Sequence, residues 1–156
     1  MTRVLAIDPG TTVSAWLTYV DGAPVRFGIC PNAKLVDMLR ESSDRLTLAA
    51  VVIEQIESYG MPVGREVFET VRWAGRFEQA ADPIPVVLLT RRVVKLYLTG
   101  SPRANDGNVR MALIDRFGGK EAAIGRKAAP GPLYGITKDA WSALAIAVTH
   151  ADMNHL

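Results

Sequence analysis

Arg3-Val4-Leu5-Ala6-Ile7-Asp8-Pro9-Gly10 is the stretch on which the fold turns. A short apolar run closed at once by Pro-Gly reads as a buried strand, because Pro9 brings no N–H to a sheet ladder and Gly10 favours a turn. Asp8 is therefore expected at the C-terminal end of a strand. Working outward, Ser14 to Tyr19 and Val25 to Ile29 flank Asp21-Gly22, a strong short hairpin signal, so the opening is read as a three-stranded antiparallel meander. After Pro31-Asn32, Leu35, Met38 and Leu39 follow helical spacing, with Asn32 as the expected cap. Leu48 to Ile53 is an unbroken apolar run ending in β-branched residues, as in a strand covered on both faces, and Glu54 closes it.

From Val63 to Ala81 the apolar positions Val67, Phe68, Val71, Ala74, Phe77 and Ala81 keep a 3.6 period, with Arg65, Arg72 and Arg76 between them. Pro85 to Leu89 reads as a strand, and Thr90 caps a helix through Leu98. Asn105 or Asp106 starts a helix ending at Phe117-Gly118-Gly119. Residues 118–135 hold five glycines and two prolines and are expected to be functional or mobile. Thr137 is expected to cap a last helix that buries the stripe Ala140, Leu144, Ala147, Val148 and Ala151. This order predicts an α/β fold with a five-stranded mixed sheet, a meander plus two parallel strands, flanked by helices. A right-handed crossover would bring the Glu54 strand back beside the Asp8 strand, placing both acids where open α/β sheets put their ligand sites.

The 156 residues, 49% hydrophobic and 22% charged, are expected to form one domain, 1–156. No apolar run approaches the roughly 20 residues of a membrane span. No charged-then-apolar leader is read at the N-terminus, and Cys30, the only cysteine, fits a small hydrophobe in a reducing compartment. A cytoplasmic protein is expected. The net charge of +2 is uninformative, but its distribution is uneven: residues 61–127 carry 12 of the 18 Lys and Arg and 7 of the 16 acids, +5 locally and −3 elsewhere. Arg91, Arg92, Lys95, Arg103 and Arg110 face only Asp106 between positions 86 and 111, a pattern that suits either a solvated helix face or a polyanion.

Two carboxylates at adjacent strand ends repel and lose hydration, an arrangement that persists where cations neutralise it. Hard oxygen ligands without a Cys or His cluster favour Mg²⁺ or Mn²⁺ over zinc. Two such ions about 4 Å apart suit in-line phosphodiester hydrolysis. A solvated strand-end carboxylate is the plainer reading of Asp8 taken alone, since Asp-Pro-Gly is also a common turn.

Ile7-Asp8-Pro9-Gly10-Thr11-Thr12 resembles the opening motif of RuvC-like Holliday-junction resolvases of the RNase H-like superfamily, and Val52-Ile53-Glu54-Gln55 resembles their second motif. Asp139 to His150 resembles their C-terminal catalytic helix, and Arg92 to Lys95 with Thr99-Gly100 their basic substrate-contacting stretch. The resemblance implies an RNase H-like fold and a homodimer that places paired nicks at four-way DNA junctions using Mg²⁺ or Mn²⁺. Asp8, Glu54 and Asp139 would be the metal ligands, and Lys95 would contact the scissile phosphate. Tyr59, Arg76, Arg91, Arg92, Arg103 and Arg110 join Lys95 as expected DNA contacts, Tyr59 or Met61 as a stacking wedge or Tyr59 as a plain loop anchor. The helix carrying Trp73 and Phe77 would be the dimer interface. The Glu57-Ser58-Tyr59-Gly60 variant looks like the phage-encoded branch.

Two positions depart from the pattern. Ser142 stands where bacterial members usually have a further Asp, so either three carboxylates with waters suffice or a neighbour such as Glu57 compensates. Asp106 replaces a second basic residue, with Arg103 as a substitute. Three other readings stay open: a junction-binding module without cleavage, a less selective nuclease acting on branched DNA or RNA, and an actin-like or sugar-kinase phosphotransferase, against which the expected single domain argues.

Overall fold

The computed structural model describes residues 1–156. Strands β1 (Arg3–Asp8), β2 (Val13–Val20) and β3 (Ala23–Pro31) form the meander. Asp21 and Gly22 both take positive φ, 46° and 88°, the twist a two-residue hairpin turn requires. Helix α1 (Asn32–Glu41) leads to β4 (Ala50–Gln55), helix α2 (Arg65–Ala81) to β5 (Val86–Thr90). The sheet order is β3-β2-β1-β4-β5, with β1, β4 and β5 mutually parallel. Helices α3 (Arg91–Thr99), α4 (Asp106–Arg116), α5 (Lys120–Ala123) and α6 (Ala140–Met153) complete the chain. The expected five-stranded mixed sheet flanked by helices is what the chain forms. No helix is long and apolar enough to cross a membrane.

Strand alternation sorts the sheet into two cores. Leu5, Ile7, Val51 and Ile53 point to one face, where α1 and α2 cover them with Leu35, Leu39 and Phe77. Val4, Ala6, Val52, Ala15 and Leu17 point to the other, under α6. Each fully buried Val, Leu or Ile contributes about 1.5–3 kcal/mol of transfer free energy, so both faces are firmly held. Because the side-chain period is two, Asp8 and Glu54 continue the α6 face beyond Ala6 and Val52.

The structure corrects several local expectations. Asn32 does not cap α1: Pro31 is the N-cap residue, with no side-chain bond, and Asn32 is buried instead. Its Oδ1 accepts from Ser14 Oγ at 2.6 Å, its Nδ2 donates to the Gly10 carbonyl at 2.9 Å, and the Gly10 N–H donates to Ser14 Oγ at 3.0 Å. The three residues close a ring of hydrogen bonds behind the Asp8 loop, and this use of the amide outweighs a capping bond available to water.

Thr137 provides no side-chain cap to α6; Asp139 holds the N-cap position, also without a capping bond. The helix is not striped, since 11 of its 14 residues are buried. It lies between the sheet and α3 and α4, so nearly every face is covered. Residues 118–135, expected from their glycines and prolines to be functional or mobile, carry secondary structure of their own. Helix α5 and a small hairpin, β6 (Gly125–Arg126) with β7 (Ala129–Pro130), fold back so that Ala123 and Leu133 join the larger core. Phe77 is fully buried with Trp73 stacked against it at 6.1 Å, so the outward apolar residues of α2 are Phe68 and Val71. By contrast Thr90 caps α3 through the Val93 N–H, and Asn105 forms a capping box with Asn108 on α4, both at the expected places.

Candidate active site

The parallel pairing of β1 with β4 runs Val4 with Ala50 to Ile7 with Ile53. One step further stand Asp8 and Glu54, each only 7% exposed. The third expected acid arrives from the other layer: α6 packs across β1 and β2 and begins at Asp139, whose carboxylate is free because it caps nothing. Burial, a hydrogen bond with Glu54 and the charges of Glu54 and Asp139 together push the Asp8 carboxyl up to about 9. Asp8 therefore keeps a proton at neutral pH, which is how this cluster lowers its repulsion when no cation is bound.

Arg91, the first residue of α3, provides the second relief. Its Nε donates to Glu54 Oε1 at 2.8 Å, and the charge of Glu54 holds the guanidinium firmly charged despite partial burial. Lys95, one turn on and only 18% exposed in its side chain, lies 3.8 Å from Asp106 Oδ1. Beside these groups opens a cavity of about 350 Å³. Glu54, Asp139 and Asp106 are its acids, Arg91, Lys95, Arg110 and Lys138 its cations, and Val94, Val109, Trp141 and Ile146 its apolar wall. The cavity thus sets carboxylates beside cations, a mixed-charge lining suited to an anionic ligand held next to a bound cation.

The structure thus brings together Asp8, Glu54, Asp139, Arg91, Lys95 and Arg110 of the expected residues. Arg92 and Arg103 are exposed outside the cavity lining. Tyr59, 59% exposed, is on the β4–α2 loop, where desolvation and then the neighbouring Glu57 raise its phenol against the pull of Arg92 and Arg91. Glu57 faces Tyr59, and the acids that act on Asp8 are Glu54 and Asp139. Arg76 sits on α2, the helix of the opposite sheet face, with its guanidinium 4.5 Å above the Trp73 ring. The sequence reading missed Lys138, Trp141 and the Arg91–Glu54 pair. Adjacency to Asp139 was the one available signal for Lys138; the others depend on packing between elements distant in sequence.

The donor set fits a hard divalent cation, which would replace the Asp8 proton and the Arg91 contact with Glu54. As they stand, no three His, Cys, Asp or Glu side chains are gathered closely enough to hold a metal ion. Binding would have to draw Asp8, Glu54 and Asp139 together.

No family model and no curated protein matches the sequence. Solved structures do. A Thermus thermophilus RuvC structure superposes with a TM-score of 0.76 at 20% identity, over 99% of this chain and 96% of that one. The chain has the RuvC fold. A second structure, T. thermophilus RuvC in complex with a Holliday junction substrate, gives a TM-score of 0.74 at 23% identity, over 99% of this chain and 95% of that one. The RuvC fold, of the RNase H-like class, thus extends over essentially the whole length, including α5 and the small hairpin. Both structures come from T. thermophilus, so the likeness lends nothing to a phage-encoded origin.

Proposed function

We propose that residues 1–156 form a single nuclease domain that cleaves four-way DNA junctions by hydrolysing phosphodiesters. The observation that carries this reading is the buried Asp8–Glu54 pair at the sheet's C-terminal edge, met by the free Asp139 carboxylate beside a cationic cavity. The junction-bound RuvC structure of the same fold supports the substrate class.

Asp8, Glu54 and Asp139 would hold Mg²⁺ or Mn²⁺, two per site, which when bound supply Lewis acidity to the phosphate and lower the pKa of the attacking water. The chain's own groups do the positioning. Lys95, half-enclosed between α3 and α4, donates to the scissile phosphate and stabilises the charge that grows on it. Arg91, released from Glu54, turns its guanidinium to the neighbouring phosphate. The water oxygen bonds to phosphorus as the opposite P–O bond breaks in line; the water gives up one proton to solvent, and the leaving oxygen takes one up from solvent. Ser142, at the cavity edge, takes the place of a fourth acid, leaving three carboxylates.

The test is cleavage of a labelled synthetic four-way junction beside its linear duplex, with Mg²⁺, Mn²⁺ or EDTA. Symmetric metal-dependent nicks confined to the junction are expected. Equal cutting of the duplex would replace this reading with a broader nuclease. Tight binding without cutting would favour a junction-binding module, to which the Arg91–Glu54 pair lends some support because it occupies a ligand.

A dimer suits a substrate of approximate two-fold symmetry. Phe68 and Val71, 61% and 43% exposed on successive turns of α2, form an apolar surface that the fold leaves uncovered. Sedimentation at micromolar concentration is expected to give a dimer, and Phe68→Glu with Val71→Glu a monomer that nicks one strand at a time. A monomeric wild type would remove the paired-nick mechanism.

A further inference from the structure

Residues 118–138 carry Lys120, Arg126, Lys127 and Lys138 against Glu121 alone, a local charge of +3, and none of these side chains is in an ion pair. Of the four cations only Lys138 lines the cavity. Arg126 and Lys127 stand on the β6–β7 hairpin, where the glycines serve close packing. Gly125 takes φ 65°, and a Cβ there would stand 2.3 Å from the Ala129 carbonyl oxygen; one on Gly131 would stand 2.3 Å from the carbonyl oxygens of both Ala122 and Ala123. Only residues without a side chain let the backbones of α5 and the hairpin close on each other in this way. The Gly131 N–H donates to the Ile124 carbonyl and the Leu133 N–H to the Ala123 carbonyl, both at 2.8 Å. Ala123 and Leu133 are sealed in the larger core. The hairpin is therefore a short, firmly footed projection whose far end carries Arg126 and Lys127, both exposed.

We propose that this hairpin is a second DNA contact, in which Arg126 and Lys127 meet backbone phosphates of the same arm that enters the active site. The proposal rests on the nuclease reading for its choice of polyanion. Leu133, at the foot of the hairpin, stands six residues before Asp139, so the two are separated by at most about 21 Å. With one phosphate per roughly 3.4 Å of axis on each strand, the foot lies within about six base pairs of the cut. Lys138 continues the positive surface into the cavity, where Arg91 and Lys95 stand. Leu133 and Ile136 share the core with Ala140, which keeps the hairpin fixed relative to α6, and a contact held ready in this way loses little ordering entropy on binding. Phosphate contacts position DNA without reading bases, so the hairpin adds affinity and register to the arm but no sequence preference.

The experiment compares Arg126→Ala with Lys127→Ala against Lys34→Ala with Arg40→Ala, a pair that removes the same charge from exposed positions of α1 on the opposite sheet face. Binding to a synthetic four-way junction is titrated in EDTA from low to high salt, so that cutting plays no part. The hairpin pair is expected to lose about tenfold in affinity at low salt and to flatten the logarithmic salt dependence by about two. Its Tm should match the wild type, because both side chains are exposed, and the α1 pair should bind as the wild type does. Equal losses in the two pairs would reduce the effect to net charge and overturn the proposal, as would a hairpin pair with wild-type affinity and salt dependence. A wild type that binds through the hairpin yet cuts nothing with Mg²⁺ or Mn²⁺ would keep the contact and remove the nuclease reading. Junction cutting beside a hairpin pair of undiminished affinity would do the reverse.

Discussion

Asp8→Asn is expected to lower junction cleavage at least about a thousandfold, yet to make the cation-free protein more stable. The substitution removes a carboxylate that a metal would need, while keeping its shape and its capacity to hydrogen-bond Glu54. In the free protein the carboxyl is raised to about 9 by burial and by Glu54 and Asp139, against 3.8 in the unfolded chain. Between those values the folded state holds a proton that the unfolded state has released, so stability falls as pH rises, by up to about 1.4 kcal/mol per pH unit from this group.

Asn carries no such proton and should remove the slope. The cleanest window lies between 6.5 and 9.0, the ordinary values of His150 and Cys30. Below it, burial lowers His150, so the folded state loses stability as pH falls through 6.5 and the two effects oppose. Thermal melts of both proteins in EDTA at pH 7 and 8.5 check this. A wild type whose Tm does not fall over the interval, or an Asn variant less stable than wild type throughout, would contradict the electrostatic account of the site.

Gly10→Ala is expected to cost about 3 kcal/mol, a drop in Tm of roughly 6–12 °C for a chain of this length. A Cβ on Gly10 would stand 2.2 Å from the Val13 carbonyl oxygen, a backbone atom that cannot swing aside. Relief would require the Pro9–Thr12 turn to open, and that turn is tied to Ser14 and Asn32 by the three hydrogen bonds behind Asp8. The variant should therefore lose cleavage as well as stability, because the strain falls on the segment that aims Asp8. A variant that melts like the wild type would show that the turn has freedom the structure does not display.

Much of this arrangement was legible in the sequence. The apolar run ending in Asp8, the Asp21-Gly22 turn and the run ending at Glu54 gave sheet order and the Asp8–Glu54 pairing, because strand patterns and turns are local signals. Thr90 and Asn105 announced their helices for the same reason. What stayed hidden depends on partners far along the chain. Asn32 has the chemistry of a cap, and only the approach of Ser14 and Gly10 turns it inward. Residues 118–135 look loose because their glycines and prolines are read without the core that Ala123 and Leu133 enter. Arg91 and Arg110 looked like equivalent basic residues; one is paired to Glu54 and the other lies over Trp141.

The helix that presents Asp139 has 11 of 14 residues buried, whereas α3, which presents Arg91 and Lys95, buries only Val94. Local opening starts where few contacts are lost, so amide hydrogens of α3 should exchange well before those of α6. The backbone behind Asp139 is thus the slow, firmly packed part of the molecule, and the segment behind Arg91 and Lys95 the part that opens first.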